Sequence, residues 1–432
     1  MHGNCSCSIR SRSTNSCRSE HVFYEDTTID IDSKLTTSDN FHVGIGMNQN
    51  ASSITMVDGK LLTIKGTDTV NPPILGIYTS PTTPNNSSLL IKGDTQIDIS
   101  SDTNNIWGIR TDAQQGSLDM EGSLNIEMRS KSGQAVGLIA KNQSSINITG
   151  SKIVLDVHSG TGVGLACELG PGTEVSLNAN DIVLSVTADK TSNNWVTGIY
   201  NNLGTLNFNG NTTLIAKGGA SNYTDVIRTE GDLTDETLFN FNGHKTTLVG
   251  TSGGHVYGMT MSGVTTAANF SSKEVLIDVS STNGVAYGIS TQYGGQVNFL
   301  DPSTVITINA KSEIDSVGIV NTNYGDKDST VQFGSVTANG TVIINAEGAG
   351  HVAGIVSEPD PDWTTDINTK ENAIALNGTT TINVSGTSDS AQVLGIFISN
   401  TNNSDTSITV NQAHISANAD MGGASRRCCC SE

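Results

Sequence analysis

The chain of 432 residues lacks the features that mark several common protein classes. No hydrophobic run approaches the ~18 apolar residues that a membrane span requires. Lys and Arg number 22 against 42 Asp and Glu, which gives a net charge of −20. Nucleic acids and anionic membrane surfaces are bound by basic patches, so we expect neither kind of partner.

Cysteine is also scarce, and its placement is uneven. Three of the 7 cysteines lie in the first seventeen residues, Cys428–Cys430 lie near the other end, and Cys167 is the single one between. A disulfide-stapled domain would distribute its cysteines through the fold, and the first group lacks the Cys-x-x-Cys spacing of zinc sites. We therefore predict no metal site and no cofactor site. Residues 1–24 and 416–432 differ in composition from the rest and are predicted to be atypical tails, the first of them disordered.

Aromatic residues make up 5% of the chain, charged residues 15%, and proline occurs 8 times. Ser, Thr, Asn and 46 Gly take their place. Disordered chains are usually rich in proline and poor in β-branched residues, whereas Val, Ile and Thr recur here in short alternating runs. This pattern predicts many short β-strands.

One phrase, an apolar residue followed by Gly and then Ile, Leu, Met or a similar residue, recurs along the chain. Successive copies are 27 to 41 residues apart. A degenerate copy, "DVIRTEG", carries Val226 where the glycine is expected. The glycines of the other copies are Gly44, Gly76, Gly108, Gly137, Gly164, Gly198, Gly258, Gly288, Gly318, Gly354 and Gly395.

Two further pieces frame each copy. An alternating run such as "SKIVLDV" (151–157) stands upstream, and a shorter one such as "GTLNF" (204–208) stands downstream. A unit of three strands in about 30 residues is too short to fold alone, but identical units can stack in parallel register. We therefore predict an all-β protein: a right-handed parallel β-helix of about twelve coils over residues 25–415, with three strands per coil.

The repeated glycine is interpreted as the place where each coil turns a corner, because a glycine inside a strand marks a bend or a close backbone approach. A phosphate-binding loop is excluded because no helix follows any copy. The residues on both sides of the glycine are expected to line the interior. Trp107, Tyr257 and Tyr287 precede a glycine and are accordingly interpreted as core side chains.

Two acidic segments are the best candidates for ligand-binding loops. Each follows a Gly-Ile phrase, where insertions in a solenoid usually project. An acidic loop with a tryptophan, such as the second, can hold a sugar or a calcium ion. An ordinary solvated loop is the alternative interpretation for both, and we assign no catalytic residues. The candidate residues are Asp326, Asp328, Glu358, Asp360, Asp362, Trp363 and Asp366.

The Φ-Gly-Ile phrases, strings such as "NFNG" and "TVIINA", and the near absence of internal cysteine resemble the passenger domains of bacterial autotransporters. The resemblance covers about residues 25–415. It implies a right-handed β-helix displayed on the cell surface or secreted, after export through an outer-membrane β-barrel. The signal peptide and the barrel of that family are both missing from this sequence, so we expect the parent gene to encode them.

Three functions follow as hypotheses. The first is a non-enzymatic, adhesin-like binding and display scaffold, whose partner is a glycan or protein of a host or bacterial surface. The second is a glycan-active enzyme, a polysaccharide lyase or hydrolase that uses carboxylates on the outer face. The third is a purely structural stalk. Because the repeated residues are spread evenly and no coil carries a unique catalytic cluster, the first hypothesis is favoured.

Overall fold

The fold is that of a parallel β-solenoid, as seen in a computed structural model of the chain. It consists of β-strands, and the described residues contain no helix. The solenoid has about ten turns spaced about 31 residues apart, compared with the twelve coils predicted. The predicted fold class is therefore confirmed. The described residues are 19–32, 42–47, 52–57, 59–68, 73–79, 88–112, 114–160, 164–188, 195–220, 223–230, 236–263, 265–323, 334–359, 372–398 and 406–419.

Two compact units divide the described residues. The first contains those within 1–190 and 198–211, and the second contains those within 191–197 and 212–432. In both, a turn consists of a long strand, a strand that carries the Gly phrase, and a short strand, in the predicted order. We call the Gly-bearing strands corner strands. The strands are numbered in chain order.

The strands of the first unit have the following bounds. The short strands are β1 (Ser19–Phe23), β4 (Ser52–Met56), β7 (Ser88–Lys92), β10 (Ser117–Glu121), β13 (Ser145–Thr149), β16 (Glu174–Asn178) and β19 (Thr205–Phe208). The long strands are β2 (Thr27–Asp32), β5 (Leu61–Asp68), β8 (Asp94–Ser101), β11 (Leu124–Ser130), β14 (Lys152–Ser159) and β17 (Asp181–Ala188). The corner strands are β3 (His42–Met47), β6 (Ile74–Thr79), β9 (Ile106–Thr111), β12 (Ala135–Ala140) and β15 (Gly164–Leu169). Strand β1 lies inside the segment predicted as a tail.

Strand β18 (Trp195–Asn201) is a corner strand with residues in both units. The long strands of the second unit are β20 (Asn211–Lys217), β23 (Lys245–Ser252), β26 (Glu274–Ser281), β29 (Val305–Ser312) and β32 (Thr341–Gly348). Its corner strands are β21 (Tyr223–Thr229), β24 (Val256–Ser262), β27 (Ala286–Gln292), β30 (Ser316–Asn323), β33 (His351–Pro359) and β35 (Gln392–Ile398). Its short strands are β22 (Thr237–Phe241), β25 (Thr266–Phe270), β28 (Gln296–Phe299) and β31 (Ser335–Ala338). In β34 (Asn372–Gly386) and β36 (Thr406–Ala419), the short and long strands are continuous.

Within each unit, the strands pair in parallel with the equivalent strands one turn away. In the first unit, for example, β11 pairs with both β8 and β14. Inward side chains of successive turns therefore stack into columns, such as Ile97, Ile126 and Leu155, which are all at most 1% exposed. The second unit has an aromatic column in its short strands, in which Phe270 stacks on Phe241 at 4.5 Å and on Phe299 at 4.9 Å between ring centroids.

The corner glycines sit where the strand bends into the core. Between β6 and β9, Leu75 pairs with Trp107 and Ile77 pairs with Ile109, but the ladder skips the glycines between them. A Cβ on Gly76 would lie 2.6 Å from the carbonyl oxygen of the next corner glycine and 2.8 Å from Ile97 Cγ2 of the facing long strand. The glycine is needed because the bend projects inward and leaves no space for a side chain.

Two details of the predicted repeat need correction. Gly164 pairs with Ala135, not with Gly137, so the corner position of β15 is Ala166, two residues further on. The residues on the two sides of the glycine also do not share a face. The residue after it enters the core, as Ile77 does, whereas the residue before it points outward, because the strand alternates normally up to the bend.

Candidate functional site

The predicted acidic loops remain predictions. Asp326, Asp328, Asp360, Asp362, Trp363 and Asp366 lie outside the described residues. Glu358 lies in β33, where its backbone pairs with Thr322. Among the described residues, the best candidate site lies on the outer face of the corner strands.

That outer face is formed by the residue before each corner position and the residue two places after it. On a flat strand, side chains three residues apart point to opposite faces. These two positions can meet on one face only because the strand bends at the corner, and the outer face lies on the concave side of that bend. In the first unit, Leu75, Trp107, Val136 and Ile139 form an apolar cluster separate from the interior, with Leu75 and Val136 fully buried. Trp107 is therefore buried as predicted, but on the outer face and not in the core.

Trp107 is covered by a charged pair. The guanidinium of Arg110 lies 5.3 Å from the centroid of the Trp107 ring. Its Nε donates to Asp112 Oδ2 at 2.8 Å, and the hydroxyl of Tyr78 lies 3.3 Å from the same oxygen. Trp107 is only 8% exposed. This arrangement seals the apolar cluster of the first unit.

The second unit carries a charged residue at the equivalent place. Asp225 stands where the other turns have uncharged residues, mostly Leu, Val, Trp or Tyr but Thr197 in the preceding turn, and its side chain is completely buried. Thr260 donates a hydrogen bond of 2.6 Å to Asp225 Oδ1, whereas Oδ2 lies 3.6 Å from Nη1 of Arg228 and has no hydrogen-bond partner among the described residues. Burial raises the pKa of Asp225 to about 6, although Arg228 and Thr260 favour the ionised form.

Arg228 links this buried carboxylate to an exposed aromatic ring. Its guanidinium lies 3.8 Å from the centroid of the Trp195 ring. Its Nε donates to Glu230 Oε1 at 3.1 Å, and Nη2 forms an ion pair with the same oxygen. Two carboxylates therefore hold the guanidinium in position over the indole. Trp195 is 42% exposed, far more than Trp107.

Trp195 begins a column of aromatic rings. Its ring stacks on Tyr223 at 4.9 Å between centroids, and Tyr223 stacks on His255 at 4.7 Å. The backbone N–H of Val285 lies 3.3 Å from Nδ1 of His255, which orients the imidazole. We call Trp195, Tyr223, Asp225, Arg228 and Glu230 the Trp195 cluster.

The same turn departs from the repeat at its corner. Val226 takes the place of glycine and is fully buried. The facing long strand has Gly250, which pairs with Val279 of the next turn. A Cβ on Gly250 would lie 3.1 Å from Val226 Cγ2 and 2.8 Å from Val256 Cγ1. A small residue in the facing strand thus provides the space that the corner valine needs.

A second charged surface lies on the long strands of the first unit. Asp98, Glu127 and Asp156 occupy the same position in three successive turns. Arg129 binds Glu127 with a distance of 2.9 Å from Nε to Oε1, and this hydrogen bond raises the pKa of Arg129. Beside them, Arg129 and His158 line a surface depression of about 490 Å³. Arg129 pairs with Glu127 and lies 3.8 Å from Asp156, which suits a structural ladder.

The described residues contain no group of three or more His, Cys, Asp or Glu side chains placed to hold a metal ion. Cys167 is a buried free thiol, and burial raises its pKa, so it stays protonated. Within the described part of the chain, no helix has the length and apolarity needed to cross a membrane.

Comparisons with known proteins add no family to this description. No family model, no curated protein and no solved structure matches the chain. The functional argument therefore rests on the geometry.

The sequence analysis missed the Trp195 cluster, although the sequence contains a repeated string that points to it. The degenerate copy "DVIRTEG" was noted for its missing glycine alone. The string "IRTD" after Trp107 returns as "IRTE" in that copy, and in both places the arginine pairs with the acid and lies over a tryptophan. The partner Trp195 lies in the preceding turn, about 30 residues away, so only stacking of the turns brings it to Arg228.

Proposed function

We propose that the protein is a non-enzymatic display scaffold of a bacterial cell surface, carried there or secreted as an autotransporter passenger domain. Its turns present side chains that bind a glycan or protein of another surface. The observation that carries this proposal is the Trp195 cluster. A scaffold built from a repeat is most stable when every turn obeys the pattern, yet this turn keeps a buried carboxylate beside an exposed tryptophan.

The structural cost of that turn argues for binding. Replacing a buried ion pair with well-packed apolar residues is often neutral or stabilising, and the other turns use uncharged residues at the Asp225 position. Positions at which a sequence departs from its own structural rules are often functional. An aromatic ring with a fixed cation and carboxylate at its side is typical of binding surfaces, in which Trp, Tyr and Arg contribute most of the affinity.

A direct test is adhesion of the full chain. Beads coated with the protein are expected to adhere to cells or to one another, and an antibody against the folded chain is expected to label intact cells that produce it. The competing hypothesis of a glycan-active enzyme predicts soluble products from polysaccharides incubated with the protein. Product release without adhesion would replace our proposal with that hypothesis. A lack of both would favour a purely structural stalk.

A further inference from the structure

We infer that the Trp195 cluster binds a neutral sugar, with a pyranose ring against Trp195 and its hydroxyl groups on Arg228 and Glu230. This inference rests on the proposed function and gives the chemical class of its ligand. It depends on four features of the cluster: the exposed indole, the fixed guanidinium, the local charge and the contrast with Trp107.

The exposed indole supplies the apolar contact. Trp195 is 42% exposed even though Tyr223 stacks on it at 4.9 Å and Arg228 lies over it at 3.8 Å. A buried or interfacial tryptophan presents a large, rigid surface whose N–H remains able to bond. A sugar ring has complementary chemistry, because its axial C–H groups form an apolar face within a rim of hydroxyl groups.

The polar groups are held in place before a ligand arrives. Glu230 binds the guanidinium of Arg228 through Nε and Nη2, and Asp225 lies 3.6 Å from Nη1. Thr260 in turn fixes Asp225 through a hydrogen bond of 2.6 Å. Because Asp225 is fully buried, it acts as a positioning residue for Arg228 and does not touch the ligand. Ordering these side chains in advance lowers the entropy lost on binding.

The local charge selects a neutral ligand. Arg228 already faces two carboxylates, and the whole chain carries a net charge of −20, so a sulfated or uronic polysaccharide would be repelled. A quaternary amine is disfavoured because the guanidinium over Trp195 repels a second cation. A neutral sugar meets neither obstacle.

Trp107 provides the internal comparison. It has the same partners, an arginine over the ring and a carboxylate on that arginine, but it is 8% exposed and packs among fully buried apolar residues. The combination of tryptophan, arginine and acid is therefore compatible with a purely structural role. The exposure of Trp195 and the buried charge beneath it distinguish the second site.

The test is affinity electrophoresis of the full chain in native gels that contain mannan, dextran or galactan. The net negative charge makes the protein mobile, and a neutral polysaccharide that binds it retards it. We expect retardation by at least one of the three, and Trp195→Ala to weaken the apparent affinity at least ~10-fold. Arg228→Gln tests the polar contact. Arg129→Gln, which removes an arginine of the first unit that is paired with Glu127, is the matched control, and we expect it to change the apparent affinity less than ~2-fold.

Circular dichroism and unfolding midpoints establish that Trp195→Ala is folded, and the graded variant Trp195→Phe is expected to retain part of the retardation. Retardation that Trp195→Ala leaves intact would place the sugar elsewhere and overturn the inference. Adhesion of coated beads without retardation by any neutral polysaccharide would overturn the ligand class and leave the proposed function standing. Binding of polygalacturonate, or a tetramethylammonium-induced change in tryptophan fluorescence, in place of neutral sugar would also overturn it.

Discussion

Trp107 and Trp195 sit in similar chemical surroundings and have different degrees of exposure. In the first unit, the residues around Trp107 on the outer corner face are apolar, and Arg110 with Asp112 closes the cluster. In the second unit, the residue beneath Arg228 is the buried Asp225, and Trp195 remains open. Trp107 directly precedes a corner glycine, whereas Trp195 begins β18, three residues before Gly198. The comparison teaches that the same kinds of partner close a ring beside the corner and leave a ring open at the start of the strand.

The largest expected difference between the two sites is in stability. Trp107→Ala removes a nearly buried ring from a packed cluster and is expected to lower the free energy of unfolding by about 3–5 kcal/mol. Trp195→Ala removes a stacked, partly exposed ring and is expected to lower it by about 1–2 kcal/mol, since a stacking and a cation–π contact are lost. Urea unfolding of both variants measures the difference. Equal losses would contradict the distinction between a closed and an open site.

The second prediction concerns the corner of the turn that carries Asp225. Gly250→Ala places a Cβ 2.8 Å from Val256 Cγ1 and 3.1 Å from Val226 Cγ2, so we expect the free energy of unfolding to fall by about 1–3 kcal/mol from overpacking. Adding Val226→Ala removes the contact with Val226 Cγ2, and the double variant is expected to be more stable than the sum of the single effects by about 0.5–2 kcal/mol.

Val342→Ala serves as the control for this cycle, because its strand β32 lies several turns from β23 along the chain of strand pairings. Its effect is expected to add to that of Gly250→Ala within about 0.5 kcal/mol. Additive behaviour of the Val226 and Gly250 pair as well would show that the small residue of the facing strand does not compensate for the corner valine.

Two turns of the first unit show how much of the fold the sequence alone predicts. Alternation with a period of two predicted the strands well: "SKIVLDV" (151–157) corresponds to β14 (Lys152–Ser159). The predicted order of long, corner and short strands is confirmed. Alternation does not predict which residues face the core at the corner, because the bend places the residues on the two sides of the glycine on different faces. A linear sequence pattern contains no information about that bend. Gly164 was assigned to the corner for a related reason, since only the pairing with Ala135 reveals the register.

The Trp195 cluster was beyond linear patterns for a different reason. Its members come from β18, from β21 and from the residue that follows β21, and the contacts of Trp195 with the others depend on the lateral stacking of turns. What the sequence does display is the conflict at Asp225, a charged residue at a position that is uncharged in the other turns. Such a conflict indicates where to search for a site, but the partners of the residue come from the structure.

The third prediction uses the pH dependence of Asp225. Its pKa in the folded protein is raised from 3.8 to about 6, so the folded state binds the proton more tightly than the unfolded state. The contribution of Asp225 protonation to the stability of the folded state is therefore fully present below pH 3.8 and is lost as the pH rises through about 6. Asp225→Asn should stabilise the protein by about 1–3 kcal/mol near pH 8, because the buried charge is removed, and should have little effect near pH 4.

Urea unfolding of the wild type and of Asp225→Asn from about pH 4 to about pH 8 checks this result. Asp156→Asn is the control, because Asp156 lies on the outer face of the first unit with a partly exposed carboxylate. A constant difference between wild type and Asp225→Asn across that range would mean that Asp225 is ionised normally, and the buried charge would no longer distinguish the second unit from the first.

The smallest expected effects belong to ladders of asparagine side chains that both units carry. In the second unit, Asn269 donates to Asn240 and accepts from Asn298, at 3.1 Å in each case, in partly buried positions. In the first unit, Asn178 makes the equivalent bonds at 2.7 Å and 2.6 Å, but they are exposed. Because water competes with exposed hydrogen bonds, shorter distances do not guarantee a larger contribution. We expect Asn269→Ala to lower the free energy of unfolding by about 1 kcal/mol and Asn178→Ala by about 0.5 kcal/mol or less. A larger loss for Asn178→Ala than for Asn269→Ala would contradict this prediction. Burial would then not explain the difference between the outer faces of the two units.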